Sequence, residues 1–365
     1  MNIKIADVNI LFKGFDPVLN CILKEFSLLP KTKNEPDIIF EFVDFDIFPE
    51  SQSMKMGNIY VGNNSIFVEG FINYKICGDL YSGEVTHILL KTKVKDKVLL
   101  RQIREKVRRF LNWNYLSIVE FLAKDFIYNI FDYCVYLKLL FKGSAFIHAS
   151  SVEKDGKGVL FLAGGGVGKT TIMTNLVLEC GYNFLSDDLS IIDTNFIYLN
   201  PKKLQIYPYN VFNNKELYRR LMKDRGLIDK FNWYYRKWKY GAKGVRRRMS
   251  PSSLFGQKRM ALKAPLSKII FLQRIVDHES RVEMISPGDL AQKCANIIIP
   301  ELDPLARYIY FIRSTFKANS VLPDIEFLLQ KSKEIYESIF SNKQCFLVLV
   351  GNNFSVDILF DLKLL

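Results

Sequence analysis

The chain has 365 residues, long enough for two domains. Its 49% hydrophobic and 24% charged residues exclude a disordered chain. The net charge of +13 is local: residues 201–280 hold 20 Lys and Arg against 5 Asp and Glu, an excess of +15, so the remainder sums to about −2 and one segment, not the whole surface, is suited to an anionic partner.

The opening residues Met1–Phe12 lack the basic, apolar and small-residue regions of a signal peptide, so a cytoplasmic protein is expected. The six cysteines are scattered without a CxxC pair, which reads as free thiols in a reducing compartment and suggests no zinc site. After an opening strand, Pro17–Phe26 reads as a short helix. Ile38–Val43, Ile59–Val61, Ser65–Glu69 and His87–Lys91 read as strands between turn-forming stretches, giving a small α/β domain over residues 1–100. Its His87 reads as a surface or packing residue.

Helical periodicity runs over Leu100–Leu140. Ile103, Val107, Phe110 and Leu111 fall on one face, followed by Ile118, Phe121, Leu122 and Phe126. Arg101, Arg104, Glu105, Arg108 and Arg109 oppose them, and residues 101–141 are expected to be amphipathic helices connecting two domains. Phe110–Phe141 is the most apolar long stretch, but Glu120, Lys124, Asp125, Asp132 and Lys138 interrupt it. A span needs about 18 nearly uncharged residues, so no membrane span is expected.

From Ala145 the texture changes. Phe146–Val152 and Gly158–Ala163 read as strands joined by a turn at Lys154–Lys157. A glycine-rich loop follows, then a helix from about Lys169 to Cys180 stopped by Gly181, and a strand at Asn183–Ser186. The loop reads Ala163-Gly164-Gly165-Gly166-Val167-Gly168-Lys169-Thr170-Thr171, close to G-x-x-x-x-G-K-[ST] between strand and helix. Glycines let backbone N–H groups close around an oxyanion, and the helix start adds its unpaired N–H groups and positive dipole end. Lys169 supplies a full charge to β- and γ-phosphates, and the Thr170 hydroxyl suits Mg²⁺. Ala163 stands where the pattern has its first glycine, so that position is expected not to need a left-handed backbone.

Asp187 and Asp188 lie 18 and 19 residues beyond Lys169, just past a strand. A strand–loop–helix–strand unit brings the end of its second strand to the sheet edge that carries the loop. One carboxylate there can hold Mg²⁺ and the other can accept a hydroxyl proton; the alternative is a plain turn after a strand. His148, 20 residues before Gly168, lies on the strand expected beside the loop strand, as a core residue or as part of the site.

Trp233–Arg248 interleaves aromatic and basic residues. Three readings stand: a solvated basic face, nucleic-acid or membrane-surface binding, and the favoured one, a mobile lid whose Arg246, Arg247 and Arg248 meet a transferring phosphate or acidic substrate. Ser267–Leu272 reads as a strand, and Pro287–Ala295 begins a helix. His278 reads as surface. Glu301 and Asp303 flank prolines within reach of a site.

Ile147-His148-Ala149-Ser150-Ser151, Gly158–Leu162, the GKT loop and Leu185-Ser186-Asp187-Asp188 together resemble the HPr kinase/phosphorylase superfamily, whose order of strand His, GKT loop and Asp-Asp pair PEP carboxykinases share. The likeness covers Phe146 to Ile191 and implies an α/β fold: a P-loop kinase domain of the HPr kinase/PEP carboxykinase type over 142–365, behind the smaller amino-terminal domain. It implies Asp187 as catalytic base, Lys169 on the β/γ-phosphates, His148 near the γ-phosphate, and Thr170 with Asp188 on the metal. Gly164, Gly165, Gly166, Val167, Gly168 and Thr171 complete the cradle. Ile191–Tyr209 lacks the family's glutamate–arginine–glycine signature, so the resemblance does not extend to HPr as substrate or to phosphorolysis. PEP carboxykinases are considerably longer and carry substrate-binding motifs not found here. The expected activity is ATP-dependent phosphorylation of a hydroxyl on a peptide, protein serine or small molecule. The alternative is an ATPase or nucleotide switch without an acceptor. Cofactors would be ATP and Mg²⁺. An acidic or hydroxyl-bearing acceptor is the expected partner, nucleic acid is disfavoured, and a homo-oligomer is allowed.

Overall fold

The computed structural model describes residues 1–93, 116–212, 214–223, 225–276, 279–315, 321–351, 356–362 and 364–365. The helical face at Ile103–Leu111, with its opposing arginines, and His278 lie outside the described residues. The chain forms two compact units, residues 1–144 with 299–331 and residues 145–298 with 332–365. Both are mixed α/β around large sheets.

The first unit opens with an antiparallel pair, β1 (Asn2–Ile5) and β2 (Val8–Gly14), followed by helix α1 (Pro17–Glu25). Asp16 caps α1 by accepting from Val18 N–H at 2.7 Å, and Pro17 sits in its first turn, where no N–H is needed. Then come β3 (Ile38–Phe42), β4 (Met54–Met56), β5 (Ile59–Val61), β6 (Ser65–Val68), β7 (Ile72–Cys77) and β8 (Thr86–Thr92). The sheet runs β1-β2-β3-β8-β7-β6-β5-β4. Alternation along β3, Ile38, Phe40 and Phe42 buried with Ile39 and Glu41 less so, shows one face turned to a core. His87, on the other side of β8, meets Glu41 at 2.6 Å.

Helices α2 (Ile118–Phe126) and α3 (Asp132–Phe141) flank a π-helical turn at Ile127–Phe131. They are core, which corrects the described part of the connector expected over 101–141. Phe126 and Phe131 pack in an aromatic cluster with Phe12, Phe26 and Phe40, ring centroids 4.7–6.4 Å apart. Phe141 also carries an edge contact to Tyr81. Even Lys138 is buried, its ammonium donating to the carbonyls of Ser82 at 2.9 Å and Glu84 at 2.6 Å. Burial lowers its pKa. Residues 299–331, expected in the second domain, complete the first unit: Tyr74 OH donates to Tyr308 OH at 2.6 Å, and Tyr81 packs edge-on against Phe327.

In the second unit β9 (Ala145–Lys154) and β10 (Lys157–Leu162) form a hairpin. Asp155 (φ 52°) and Gly156 (φ 74°) make its two-residue turn, a pairing suited to left-handed backbone. Helix α4 (Lys169–Glu179) follows, then β11 (Asn183–Ser186), β12 (Leu189–Ile192), β13 (Phe196–Tyr198) and β14 (Leu204–Ile206). Three helices come next: α5 (Pro208–Val211), α6 (Lys215–Met222) and α7 (Leu227–Tyr240). They precede β15 (Arg247–Met249), β16 (Lys263–Arg274), β17 (Arg281–Met284) and β18 (Gln344–Val350).

The main sheet runs β10-β9-β12-β13-β16-β18-β17, and β16 also pairs in parallel with β10. Both β11 and β12 pair antiparallel with β9, against residues 151–153 and 145–148 respectively. Since β9 is antiparallel to both β10 and β11, those two strands point the same way. Their carboxyl ends open on one edge. Among the described residues no helix is long and apolar enough to cross a membrane.

Candidate functional site

The loop from Ala163 to Gly168 joins β10 to α4 as the sequence pattern requires. Gly166 (φ 78°) and Gly168 (φ 120°) occupy backbone that side-chain-bearing residues avoid, and Gly165 and Gly166 are exposed. Ala163 is fully buried and is not among the positive-φ residues, which explains why alanine serves there. Lys169 is buried too, its ammonium donating to the carbonyls of Ala163 at 2.8 Å and Gly164 at 3.0 Å. The lysine is thus folded back over the loop's own entrance. Val167 and Gly168 close the turn, and the Thr171 hydroxyl accepts from Asn210 Nδ2 at 3.0 Å.

The acidic pair meets this loop. Thr170 Oγ1 donates to Asp187, 3.0 and 3.1 Å from its two carboxylate oxygens. Ser150 Oγ donates to the same carboxylate at 2.5 Å. Burial drives the Asp187 carboxyl upward, opposed by the Ser150 bond, while the charge of Asp188 adds to the rise and Thr170 and Lys169 oppose it; the result is about 6. Asp188 is half exposed at φ 70°, and Leu189 N–H donates to Asp187 O across it, a tight three-residue turn. Backbone held there by both flanking strands is the kind of strain that gathers at functional sites.

His148 pairs with Leu189 in the sheet, next to the acidic turn, and its Nδ1 lies 3.8 Å from Asp188 Oδ1. It is buried. Burial lowers its pKa first, Lys169 lowers it further, and Asp188 only partly compensates, leaving about 4. The imidazole is therefore neutral near pH 7. Behind the acids, Ser151, Ser186 and Ser190 form a buried hydroxyl chain, with Ser151 and Ser186 2.5 Å apart.

Ser150, absent from the sequence assignment, belongs to the site. The signal was present: it lies two positions after His148, and on a strand residues i and i+2 share a face. Tyr209, in α5, is 43% exposed, and its pKa is pushed up to about 12 by partial burial first, then by Tyr207 and Asp187. Its ring stacks on Tyr207 at 5.1 Å. No local pattern marks either tyrosine.

The three arginines part company, which corrects the lid. Arg247, only 2% exposed, donates to Asp229 at 2.5 Å and lies over the Trp233 ring at 5.5 Å. Burial raises the Asp229 carboxyl, and its bonds from Arg247 and Arg225 more than offset that, leaving it below the ordinary value. Arg248 is buried in β15 opposite Gln205. Residues 227–240 are helix and 247–249 strand, so both arginines serve the packing. Arg246 alone points toward the site's surroundings, donating to Tyr207 OH at 3.2 Å. Glu301 and Asp303 lie in the first unit, and Asp303 pairs with Arg307 at 2.6 Å.

Among the described residues no group of three or more His, Cys, Asp or Glu could hold a metal. Thr170, Asp187 and Asp188 instead offer hydroxyl and carboxylate oxygens, the hard donors that Mg²⁺ takes alongside phosphate and water.

No family model matches the chain, and no curated protein matches it. Among solved structures it is similar to the HPr(Ser) kinase/phosphatase from Coxiella burnetii, with a TM-score of 0.21 and 15% identity, over 38% of this chain and 77% of that one. A likeness so slight decides neither family nor activity.

Proposed function

We propose that the chain is an ATP-dependent phosphotransferase acting on a hydroxyl, built as a P-loop kinase of the HPr kinase/PEP carboxykinase type. One observation carries this reading: the hydroxyl at the loop–helix junction, Thr170, is bonded to a buried carboxylate, Asp187, delivered from a second strand. A glycine-rich turn in an unrelated protein has no reason to meet a buried acid there.

The residues fit the roles. The N–H groups of Gly164 to Thr171 and the start of α4 would cradle the phosphates, and Lys169 would exchange its loop carbonyls for β/γ oxygens. Thr170 and Asp188 would hold Mg²⁺, which supplies charge neutralisation when bound. Asp187 titrating near 6 is ionised at pH 7 yet basic enough to take a proton. The acceptor hydroxyl oxygen bonds to the γ-phosphorus, the bond from phosphorus to the β–γ bridging oxygen breaks, ADP leaves with those electrons, and the hydroxyl proton passes to Asp187. His148, neutral, borders the γ-phosphate region.

Transfer of radiolabel from γ-labelled ATP to a peptide, protein or small-molecule acceptor is the test. Lys169→Ala is expected to abolish transfer and weaken ATP binding. Asp187→Asn is expected to abolish transfer while ATP still binds. Full transfer in either variant overturns the assignment. Label that ends only in inorganic phosphate makes the chain an ATPase or switch instead.

A further inference from the structure

The basic segment holds a feature that the phosphate site does not use. Helix α7 turns one face to the protein: Trp233 is 1% exposed, and Asp229 is tied to Arg225 and Arg247 at 2.6 and 2.5 Å. Its other face leaves large apolar side chains in solvent, with Leu227 84%, Phe231 69% and Trp238 82% exposed, joined by Ile228, Tyr234 and Tyr235. At about 100° per residue these six fall within a sector roughly 120° wide. Lys230 and Lys237 border that sector on one side and Lys239 on the other, with Arg236 beyond. The rings contact one another along the stripe, Phe231 with Tyr235 at 6.3 Å and Tyr235 with Trp238 at 6.1 Å.

We propose that α7 is an interfacial helix that seats this chain on an anionic lipid bilayer, its aromatic and aliphatic stripe in the acyl boundary and its lysines on the headgroups. An apolar sector rimmed by lysines, with Trp and Tyr among its residues, is what a helix lying in a membrane surface requires. The charge is complementary: α7 lies in the segment with a +15 excess, and negative headgroups attract it. A second copy is disfavoured because facing stripes would bring like-charged rims together. Single-stranded nucleic acid offers rings to stack on Phe231 and Trp238 but nothing to cover Leu227 and Ile228. The proposal is independent of the phosphate-loop reading.

The test is flotation of the full chain with phosphatidylcholine vesicles, with and without about one third phosphatidylserine. Binding to the anionic vesicles alone is expected. It should fall about tenfold or more in Phe231→Ser/Trp238→Ser, whose side chains face solvent and leave thermal unfolding unchanged. Neutralising Lys230, Lys237 and Lys239 to Gln should weaken binding about fivefold per charge. Lys169→Ala should bind like the native chain, which separates this result from any failure of the nucleotide site. The fluorescence difference between native protein and Trp238→Phe should be quenched by brominated lipid. No binding to anionic vesicles, equal binding by the Phe231/Trp238 variant, or absence of quenching overturns the proposal. So does loss of vesicle binding to competing polyuridylate with the same aromatic requirement, which would assign the face to nucleic acid.

Discussion

Asp187 shows how burial and hydrogen bonding divide one residue's chemistry. Its carboxyl in the folded chain titrates near 6, above its unfolded value, so the folded state holds the proton more tightly. The sign follows: its stabilising contribution is full below about pH 4 and is lost as pH rises through 6. At neutral pH the ionised form costs on the order of 3 kcal/mol. Asp187→Asn keeps an oxygen to accept from Ser150 and Thr170 without the charge. It is expected to unfold at higher temperature than the native chain at pH 8, the gain vanishing below pH 4, by calorimetry across pH. Activity should rise through an acid limb near pH 6. Ser150→Ala removes a bond that favours the ionised form, so that limb should move upward by roughly one pH unit in a pH–rate profile. An unmoved limb would mean that Asp187 is not the titrating base.

At the scale of elements, the loop and the α7–β15 segment rest on different physics. Gly168 holds φ 120° where the chain enters α4. Gly168→Ala is expected to lose about 1–2 kcal/mol of stability, read by denaturant unfolding, together with nucleotide affinity. Arg247 and Arg246 are neighbours with opposite expectations. Arg247→Ala strips a buried partner from Asp229 and should cost about 3 kcal/mol. Arg246→Ala leaves the packing intact and should lower transfer at nearly native stability. Native transfer by Arg246→Ala would show that the proximity of Arg246 to Tyr207 has no part in function. The sequence marked this segment as basic and aromatic but not which side chains turn inward, because the composition of a half-buried helix is set by the neighbours on its buried side.

For the whole molecule, the first unit is discontinuous in sequence. Residues 299–331 supply Tyr308 to Tyr74, Phe327 to Tyr81 and the Val321 carbonyl to Leu80 N–H at 3.3 Å. A fragment of residues 1–144 is therefore expected to unfold at lower temperature and less cooperatively than the same region in the full chain, by hydrogen exchange. Adding back a 299–331 peptide should restore protection. Equal protection without it would show that the late segment is dispensable.

The sequence by itself determined what local rules govern. It marked the strand at Asn183–Ser186, the turn at Lys154–Lys157, the glycine loop with its lysine and threonine, and the stop at Gly181, whose φ is 80°. Backbone preferences and short-range periodicity act over a few residues and leave their mark in order. The tertiary structure alone decided that Thr170 meets Asp187, that Ser150 joins them, that Arg247 turns inward, and that residues 299–331 return to the first unit. Those outcomes are pairings between residues from 17 to more than 230 positions apart. Only the competition among all such pairings for burial and hydrogen bonds, resolved in the folded chain, selects them.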